Sequence, residues 1–225
     1  MKVVFATPTV TEPFAPYLKS LEECLPAVEA AGFEHGATFT VGNPYISGAR
    51  ATMLRNAMDA RADLVVFIDH DVSWRPQDMV KLLQTEGDVV AGTYRFKNDG
   101  EEYMGVLETD HDHRPVCRAD GAIKAKWVPG GFLSLTKEAV DAFMREYPEL
   151  VYGPRYSPSV DLFNHGAIEN IWMGEDVAFS KRWREKCGDI WIVPDLDLDH
   201  HSKDRVWPGN FHKFLLRQPG GSEAG

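Results

Sequence analysis

The sequence predicts an α/β protein built on one central sheet of mostly parallel strands. Short apolar runs alternate along the chain with stretches of helical periodicity, and the run Leu64–Ile68 has no polar position on either face. Strands buried on both faces are typical of parallel sheets, whose crossover helices cover them. A chain of 225 residues is long enough for one such domain.

The first half of the chain is predicted to form repeated βα units. Apolar i, i+3 and i+4 spacings indicate the helices, and β-branched runs indicate the strands. Pro26, inside the first helix, predicts a kink or an early end. The expected strands are 2–6, 37–41, 64–68 and 88–92, and the expected helices are 14–31, 48–60 and 76–85.

The second half is less regular. Segment 93–126 is polar and rich in turn signals, which predicts a small antiparallel insertion beside the main sheet. Segment 148–170 contains three prolines and two glycines and is predicted to be a long irregular loop that shapes the substrate site. The remaining expected elements are a strand at 131–135, a helix capped by Thr136 that runs to about 145, a helix at 175–187, and a last strand at 190–193.

Composition limits the classes of function. A formal net charge of −10 argues against a general binder of nucleic acid or anionic membranes. The three cysteines are scattered, which indicates neither a disulfide framework nor a zinc site and fits a reducing compartment. No apolar run approaches the ~20 residues that cross a bilayer. We therefore expect a cytoplasmic protein of bacterial or viral origin, with one domain at 1–217 and a disordered tail at 218–225.

Asp69, His70 and Asp71 follow the apolar run Leu64–Ile68 directly. Open α/β sheets bind ligands at the carboxyl ends of their strands, so these carboxylates are predicted to line a site. Two carboxylates are costly to desolvate unless a cation joins them, and a hard divalent cation with a phosphate-bearing substrate is the natural partner. The alternative is that Asp71 only caps the helix beginning at Pro76.

A second cluster of possible metal ligands lies late in the chain, where Asp197, Asp199, His200 and His201 follow one another. Imidazole together with carboxylate suits Mn²⁺. Neighbours in an extended segment face opposite ways, so only one histidine is expected to bind, and His200 is slightly preferred. A solvated acidic turn is the alternative.

Two further motifs have both a functional and a structural interpretation. Glu175 and Asp176 begin a helix, where carboxylates are favoured by the helix dipole alone. Gly130 and Gly131 precede a strand and either let the backbone approach a ligand or form a plain β-bulge.

Together these motifs resemble, in order, those of glycosyltransferases with the GT-A fold, a Rossmann-like fold whose members use nucleotide-sugar donors. The resemblance covers roughly residues 3–201. It implies that Asp71 coordinates Mn²⁺ or Mg²⁺, that Asp69 meets the ribose or the metal through water, and that a late histidine completes the metal site. It also implies that Asp176, or else Glu175, is the general base, and that the loop at Gly130 and Gly131 contacts the donor sugar.

The same resemblance suggests the remaining substrate contacts. The loop after the first strand should meet the base or ribose, and basic residues on the second helix should meet the nucleotide. Trp172 is expected to stack on a sugar, although a core position is the commoner role for tryptophan. These candidates are Thr7, Pro8, Thr9, Arg50, Arg55, Asn56 and Trp172.

The function predicted from the sequence is metal-dependent transfer of a hexosyl group from a nucleoside-diphosphate sugar, with UDP preferred as the nucleotide. The acceptor hydroxyl belongs to a glycan, a protein, a metabolite or a modified nucleic acid. A nucleotidyltransferase is one alternative, but ATPTVTEPFAP lacks the glycine-rich basic phosphate loop which that class usually needs. A non-catalytic nucleotide-sugar-binding module is the other.

Overall fold

The computed structural model describes residues 1–218. Its first half alternates strands and helices, as the sequence predicts. The elements are β1 (Lys2–Thr9), α1 (Ala15–Ala30), β2 (Glu34–Val41), α2 (Ile46–Asp59), β3 (Leu64–Ile68), β4 (Val72–Ser73), α3 (Pro76–Gln84) and β5 (Val89–Ala91).

The second half contains shorter strands and three more helices. A 3-10 turn at Pro148–Leu150 follows the first of these helices. The elements are β6 (Val106–Leu107), β7 (Ile123–Trp127), β8 (Phe132–Thr136), α4 (Lys137–Glu146), β9 (Val151–Tyr152), β10 (Ser159–Val160), β11 (Gly166–Ile168), β12 (Ile171–Met173), α5 (Glu175–Lys186), β13 (Ile190–Ile192), β14 (Asp197–His201), β15 (Val206–Asn210) and α6 (Phe211–Leu216).

The main sheet has eight strands in the order β2-β1-β3-β8-β5-β13-β7-β6. Six of the eight run in one direction, and the exceptions are β7 and β8, which pair antiparallel with their neighbours. The prediction of a mostly parallel sheet with a small antiparallel addition is therefore confirmed. The antiparallel course of β8 matters for function because it brings the start of β8 to the edge where β3 ends.

The sheet lies between two layers of helices. Alternate residues of β3 enter opposite cores, so that Val65 and Phe67 pack on one face while Leu64, Val66 and Ile68 pack on the other. The first core includes side chains of α2, α4 and α5, and the second includes side chains of α1 and α3. Burial on both faces is the reason that β3 carries no polar side chain.

A separate three-stranded sheet, β15-β14-β4, forms beside the carboxyl end of β3. Its register pairs Asp199 with Ser73 and His200 with Val72, and the Asp71 carbonyl accepts the His201 backbone N–H at 2.8 Å. This pairing brings a segment from the end of the chain to the residues that follow β3. The prediction that 190–193 is the last strand was wrong, because β14 and β15 come after it.

The first helix agrees with the predicted range 14–31, and one other prediction of local structure was wrong. The helix continues to Ala30, which excludes the alternative of an early end at Pro26. Pro26 lies on the exposed face of α1, where water can satisfy the carbonyl that loses its partner, and the fully buried Cys24 and Val28 hold the flanking turns. Segment 148–170 is not irregular throughout, since β9 pairs with β10 and β11 pairs with β12.

The predicted cap of α4 agrees with the structure. Thr136 caps α4 through a hydrogen bond accepted from the Ala139 backbone N–H at 3.0 Å. Asp71 does not cap α3, because the carboxylate that meets the start of that helix belongs to Asp78, which accepts the Arg75 N–H at 3.1 Å. Within residues 1–218, none of the helices is both long and apolar enough to cross a bilayer. The predicted tail at 218–225 lies outside the described residues except for its first position.

Candidate functional site

The candidate site lies at the carboxyl edge of the main sheet, where four chain segments meet. The parallel strands β1 and β3 both end there. The antiparallel strand β8 begins there, with Phe132 opposite Ile68, and the Asp69 N–H donates to the Gly131 carbonyl at 3.0 Å. The segment after β5 reaches the same edge, because the Gly92 N–H donates to the Phe132 carbonyl at 2.9 Å.

A cavity of about 220 Å³ opens at this edge. Both aspartates that follow β3 line it, together with residues from the ends of β1 and β2 and from β14. Its lining is Pro8, Thr9, Val10, Asn43, Pro44, Ile46, Asp69, His70, Asp71, Tyr94, Met104 and His200. The predicted residues Pro8, Thr9, Asp69, Asp71 and His200 therefore share one cavity.

Arg50, on α2, joins Asp69, which lines this cavity, to Glu175 and Asp176, which do not line it. Its side chain is 1% exposed, and its Nη2 lies 3.1 Å from Asp69 Oδ1, while its Nη1 lies 3.2 Å from Asp176 Oδ1. Glu175 Oε1 is 3.6 Å from Nη1, and the guanidinium also lies over the Phe163 ring at 4.7 Å. The buried Arg50 guanidinium thus joins Asp69, which follows β3, to the two carboxylates at the start of α5.

Burial sets the ionisation of this cluster. Burial raises the pKa of Asp176 to about 6, and Arg50 opposes the shift. Burial by itself would lower the pKa of Arg50, but Asp69, Asp176 and Glu175 outweigh it and raise that pKa. Arg50 therefore stays charged, while Asp176 is a stronger base than an exposed aspartate.

The two glycines before β8 are explained by this cluster. A Cβ on Gly130 would lie 2.6 Å from Asp176 Oδ1 and 2.8 Å from Arg50 Nη1. A Cβ on Gly131 would overlap Tyr94 Oη and Asp69 Oδ2, two atoms that are hydrogen-bonded to each other at 3.1 Å. The space beside both glycines is therefore filled by side chains of the site itself.

Asp71 is held differently from Asp69. His200 Nε2 faces Asp71 Oδ1 at 3.6 Å, and the Lys97 ammonium contacts Asp71 Oδ2. Burial would raise the pKa of Asp71, but His200 in its protonated form and the Lys97 ammonium hold that pKa well below the ordinary value. Asp71 is therefore an ionised carboxylate that faces one imidazole and one ammonium.

The donor set at Asp71 suits a divalent cation. His200 Nδ1 lies 2.8 Å from the Arg95 carbonyl, and because a carbonyl only accepts, this nitrogen carries the hydrogen. In the neutral ring, Nε2 then carries a lone pair that is directed toward the Asp71 carboxylate. A cation between Nε2 and the carboxylate stabilises this arrangement. Neighbouring ligands of an octahedral ion with bonds of about 2.1 Å lie about 3 Å apart, so the 3.6 Å separation needs little adjustment.

His201 is not brought to this pair. It lies on the opposite face of β14, where Nε2 is 2.7 Å from Ser73 Oγ, and burial lowers its pKa. His70 also points elsewhere along the cavity, with its ring 5.6 Å from that of Phe14. Of the two histidines that the sequence left open, the structure sets His200 beside Asp71.

Several predicted substrate contacts are not directed into this cavity. The buried Thr7 hydroxyl is hydrogen-bonded to Tyr17 in the core. Arg55 donates to the Pro158 carbonyl at 2.6 Å and pairs with Asp59, while Asn56 meets Thr38 Oγ1 at 3.5 Å. Trp172 is 75% exposed on the β11–β12 hairpin, so a core role for it is excluded.

Sequence reasoning did not identify Tyr94, Lys97 or Asn43 as site residues. Tyr94 and Lys97 belong to the polar insertion, whose composition signals turns and gives no periodicity that would locate a side chain. Their position in the segment that follows a buried strand, β5, is the signal that could have found them, because neighbouring strand ends share the same edge. Asn43 follows β2 in the same way.

Two other places carry grouped polar side chains. A cavity of about 370 Å³ lies on the other face of β14, but its Asp197 is already paired with Arg75 at 2.6 Å and lies 3.8 Å from Lys213. The tripeptide Asp110-His111-Asp112 is the one group of three potential metal ligands within 4.8 Å found among the residues that the structure describes, and all three residues are exposed on the insertion. Asp110 there accepts two backbone N–H groups of its own turn, which accounts for it without a metal.

Comparison with known proteins identifies the architecture. A197 from STIV matches with a TM-score of 0.55 and 15% identity over 93% of this chain and 95% of that one. GalNAc-T7 crystallised with UDP, GalNAc and Mn²⁺ matches with a TM-score of 0.50 and 13% identity over 89% of this chain and 43% of that one. A glycosyltransferase involved in glycosylation of the PBCV-1 major capsid also matches, with a TM-score of only 0.36 and 9% identity over 63% of this chain and 62% of that one. No protein-family model and no curated protein sequence matches the chain. The fold is thus GT-A-like, and its structural neighbours include glycosyltransferases.

Proposed function

We propose that this protein is a metal-dependent glycosyltransferase that moves a hexosyl group from a nucleoside-diphosphate sugar, with UDP as the preferred nucleotide, to an acceptor hydroxyl. The observation that carries the proposal is the pair Asp71 and His200, a carboxylate and an imidazole that face each other at the carboxyl edge of the sheet, 3.6 Å apart. They lie beside a second carboxylate cluster that holds a candidate base. This combination fits transfer from a phosphate-bearing donor better than it fits simple binding.

Asp71 Oδ1 and His200 Nε2 would hold the ion, Mn²⁺ or Mg²⁺, and the Arg95 carbonyl would fix the orientation of the imidazole through Nδ1. A bound divalent ion in such a site neutralises the charge that develops on the diphosphate as it leaves. Asp69 keeps both oxygens engaged with Arg50 and Tyr94. We therefore assign Asp69 a supporting role, with water or ribose as its outer contact.

Asp176 is proposed as the general base that takes the proton from the acceptor hydroxyl. With its pKa raised to about 6, it is ionised at neutral pH and still basic enough to accept a proton during transfer. Arg50 holds one oxygen of Asp176, whose side chain is 17% exposed. Glu175, also within reach of Arg50 at 3.6 Å, is the alternative base.

The donor nucleotide is proposed to lie along the cavity between the ends of β1 and β2. Pro8, Thr9, Asn43 and Pro44 provide a mixed apolar and polar wall there, which suits a base and ribose. The Thr7 hydroxyl is used in the core, so contacts from this loop would come from Pro8 and Thr9. The structural neighbour GalNAc-T7, which was crystallised with UDP, GalNAc and Mn²⁺, supports the choice of donor class.

The decisive experiment is titration calorimetry of UDP, GDP, CDP and ADP with and without Mn²⁺, on the wild-type protein and on Asp71→Ala. We expect one diphosphate to bind in a Mn²⁺-dependent manner, and Asp71→Ala to abolish that dependence while circular dichroism remains unchanged. Asp112→Ala is the matched control, since it removes the last aspartate of the other Asp-His-Asp tripeptide, on the exposed insertion. It should bind as the wild type does.

Unchanged Mn²⁺-dependent affinity in folded Asp71→Ala would overturn the metal assignment. The reaction class is tested separately by the products formed from a nucleotide sugar. Release of a nucleoside diphosphate identifies glycosyl transfer, whereas pyrophosphate released from a nucleoside triphosphate and a sugar phosphate would identify a nucleotidyltransferase. Tight binding with neither product, across a panel of acceptors, would favour a binding module.

A further inference from the structure

Lys97 occupies an unusual position, because its ammonium contacts the carboxylate that the proposed metal needs. The Lys97 Nζ lies on Asp71 Oδ2, while His200 faces the other oxygen, Oδ1. The side chain of Asp71 is only 15% exposed, so its charge needs a partner when no other cation is near. Lys97 supplies that partner from the protein itself.

The segment that carries Lys97 also positions His200. The Arg95 carbonyl accepts from His200 Nδ1, and Arg95 is bridged to Tyr103 across a short turn in which the Phe96 N–H donates to the Glu102 carbonyl at 2.9 Å. The same turn therefore holds the imidazole in its metal-binding orientation and delivers an ammonium to the carboxylate. The backbone part of this arrangement is fixed, and the lysine side chain, on a flexible stem and 32% exposed, is the replaceable part.

A divalent ion and the Lys97 ammonium cannot both bind the Asp71 carboxylate favourably. An ion bound by Asp71 Oδ1 and His200 Nε2 would lie within a few ångströms of the ammonium, and two positive charges at such a distance repel each other strongly away from bulk water. A diphosphate changes the balance because it brings negative charge to both cations and offers the lysine a new partner. The ion alone and the ion with a diphosphate should therefore bind with very different affinities.

We propose that Lys97 is a resident counterion of Asp71 that a divalent cation must displace, and that this competition makes cation binding depend on the donor diphosphate. The inference rests on the proposed function, since it takes Asp71 and His200 as the cation ligands. It assigns to Lys97 a positioning role for the cation and the diphosphate. A plain surface ion pair, the alternative, would have no influence on cation affinity beyond general charge.

The test measures Mn²⁺ binding directly, by electron paramagnetic resonance of the free ion, in the presence and absence of pyrophosphate. Pyrophosphate is used because it is the charged part common to all nucleoside diphosphates. The variants are Lys97→Met and Lys97→Gln, with Lys97→Arg as the charge-preserving variant. Arg205→Gln is the control for general charge, because Arg205 pairs with Asp99 of the same insertion and does not contact Asp71.

We expect Lys97→Met and Lys97→Gln to bind Mn²⁺ alone about tenfold more tightly than the wild type, the gain expected if the ion pair is formed in about nine molecules of ten. Pyrophosphate should raise Mn²⁺ affinity strongly in the wild type and less in these variants, since the two ligands are thermodynamically coupled. Lys97→Arg and Arg205→Gln should stay within about twofold of the wild type, because neither frees Asp71 of its ammonium or guanidinium partner.

Equal Mn²⁺ affinities in the wild type and both neutral Lys97 variants would overturn the inference and leave the proposed function intact. An equal gain in Arg205→Gln would also overturn it, because the effect would then be one of net charge. No Mn²⁺ binding by any variant, with or without pyrophosphate, would instead remove the metal part of the proposed function.

Discussion

The two aspartates that follow β3 are only two residues apart, yet they are held in opposite ways. Asp69 is fixed by Arg50 and Tyr94, and the guanidinium that holds it is 1% exposed. Asp71 is held by Lys97, whose side chain is 32% exposed and whose stem is flexible. One carboxylate belongs to a permanent buried network, and the other has an exchangeable counterion.

The difference separates the structural part of the site, Asp69 with Arg50, from the part that can exchange one cation for another, Asp71 with Lys97. A buried arginine with two short carboxylate contacts cannot leave without stranding charges in the interior. An ammonium near solvent can be replaced by another cation at small cost. The two aspartates of the motif Asp69-His70-Asp71 thus have different roles, and the roles can be told apart only from the side chains that pack around each carboxylate.

The largest expected effect comes from breaking the buried network. Arg50→Met should destabilise the fold by about 3–5 kcal/mol, because Asp69 and Asp176 would be left without the buried cation that pairs with both. Urea unfolding measures this loss. Arg55→Met, on the same helix, is the matched control. It removes an ion pair with the exposed Asp59 and a hydrogen bond to the Pro158 carbonyl, and it should cost about 1–2 kcal/mol. Equal losses in the two variants would remove the distinction between scaffold and exchangeable charge.

A second prediction separates the roles of the two carboxylate groups in catalysis. Asp176→Asn should reduce transfer about 10²-fold or more, the usual scale for loss of a general base, while Mn²⁺-dependent diphosphate affinity stays within a few-fold. The wild-type rate should fall as the pH drops through about 6, since the raised pKa of Asp176 leaves it protonated below that point. Steady-state rates of the wild type and of Asp176→Asn, measured between pH 5 and 8, check the loss of rate and its pH dependence. This pH range spans the raised pKa of Asp176.

The pH profile of Asp176→Asn also shows which result would contradict the assignment of Asp176 as the base. If the base is Asp176, the acidic limb disappears in Asp176→Asn. A limb that persists with near-normal turnover would mean that Asp176 acts only as a charge at the start of α5. Glu175→Gln is then the next variant to examine.

The smallest expected effect concerns the exchangeable side. Lys97→Met should lower the free energy of unfolding by about 1–2 kcal/mol, because it leaves the Asp71 carboxylate, which is 15% exposed, without its ammonium partner. The difference from the wild type should shrink further in ~1 M NaCl, where the Debye length is about 3 Å. Unfolding curves at low and high salt test this. A loss that is large and independent of salt would place Lys97 with Arg50 in the permanent network.

Much of the fold followed from local pattern. The apolar run Leu64–Ile68 predicted a strand buried on both faces, and the alternation of periodicities predicted the layered architecture, because these signals lie within single elements. The hairpins in 148–173 and the strands after 193 were missed, since their pairing joins short segments with weak individual patterns. Strand partners are non-local information that periodicity does not contain.

The candidate site was predictable to the extent that strand ends determine it. Asp69, Asp71, Pro8, Thr9 and His200 share one cavity because the carboxyl ends of neighbouring strands and the added strand β14 meet there. The direction of individual side chains was harder to predict. Thr7 turned to the core and Arg55 to an outer carbonyl, because each follows the local packing of its own strand or helix rather than the edge of the sheet.

The register between β14 and β4 determines which of two adjacent imidazoles meets Asp71. Leu198 is fully buried on the face of β14 that also carries His200, whereas Asp197 and Asp199 lie on the other face. A slip of one residue would offer His201 in place of His200 but would turn both carboxylates inward and Leu198 outward. The burial of Leu198 therefore fixes the register of β14 against β4. A one-residue deletion between 194 and 196 should be absorbed by the connection, with the identity of the ligating histidine unchanged.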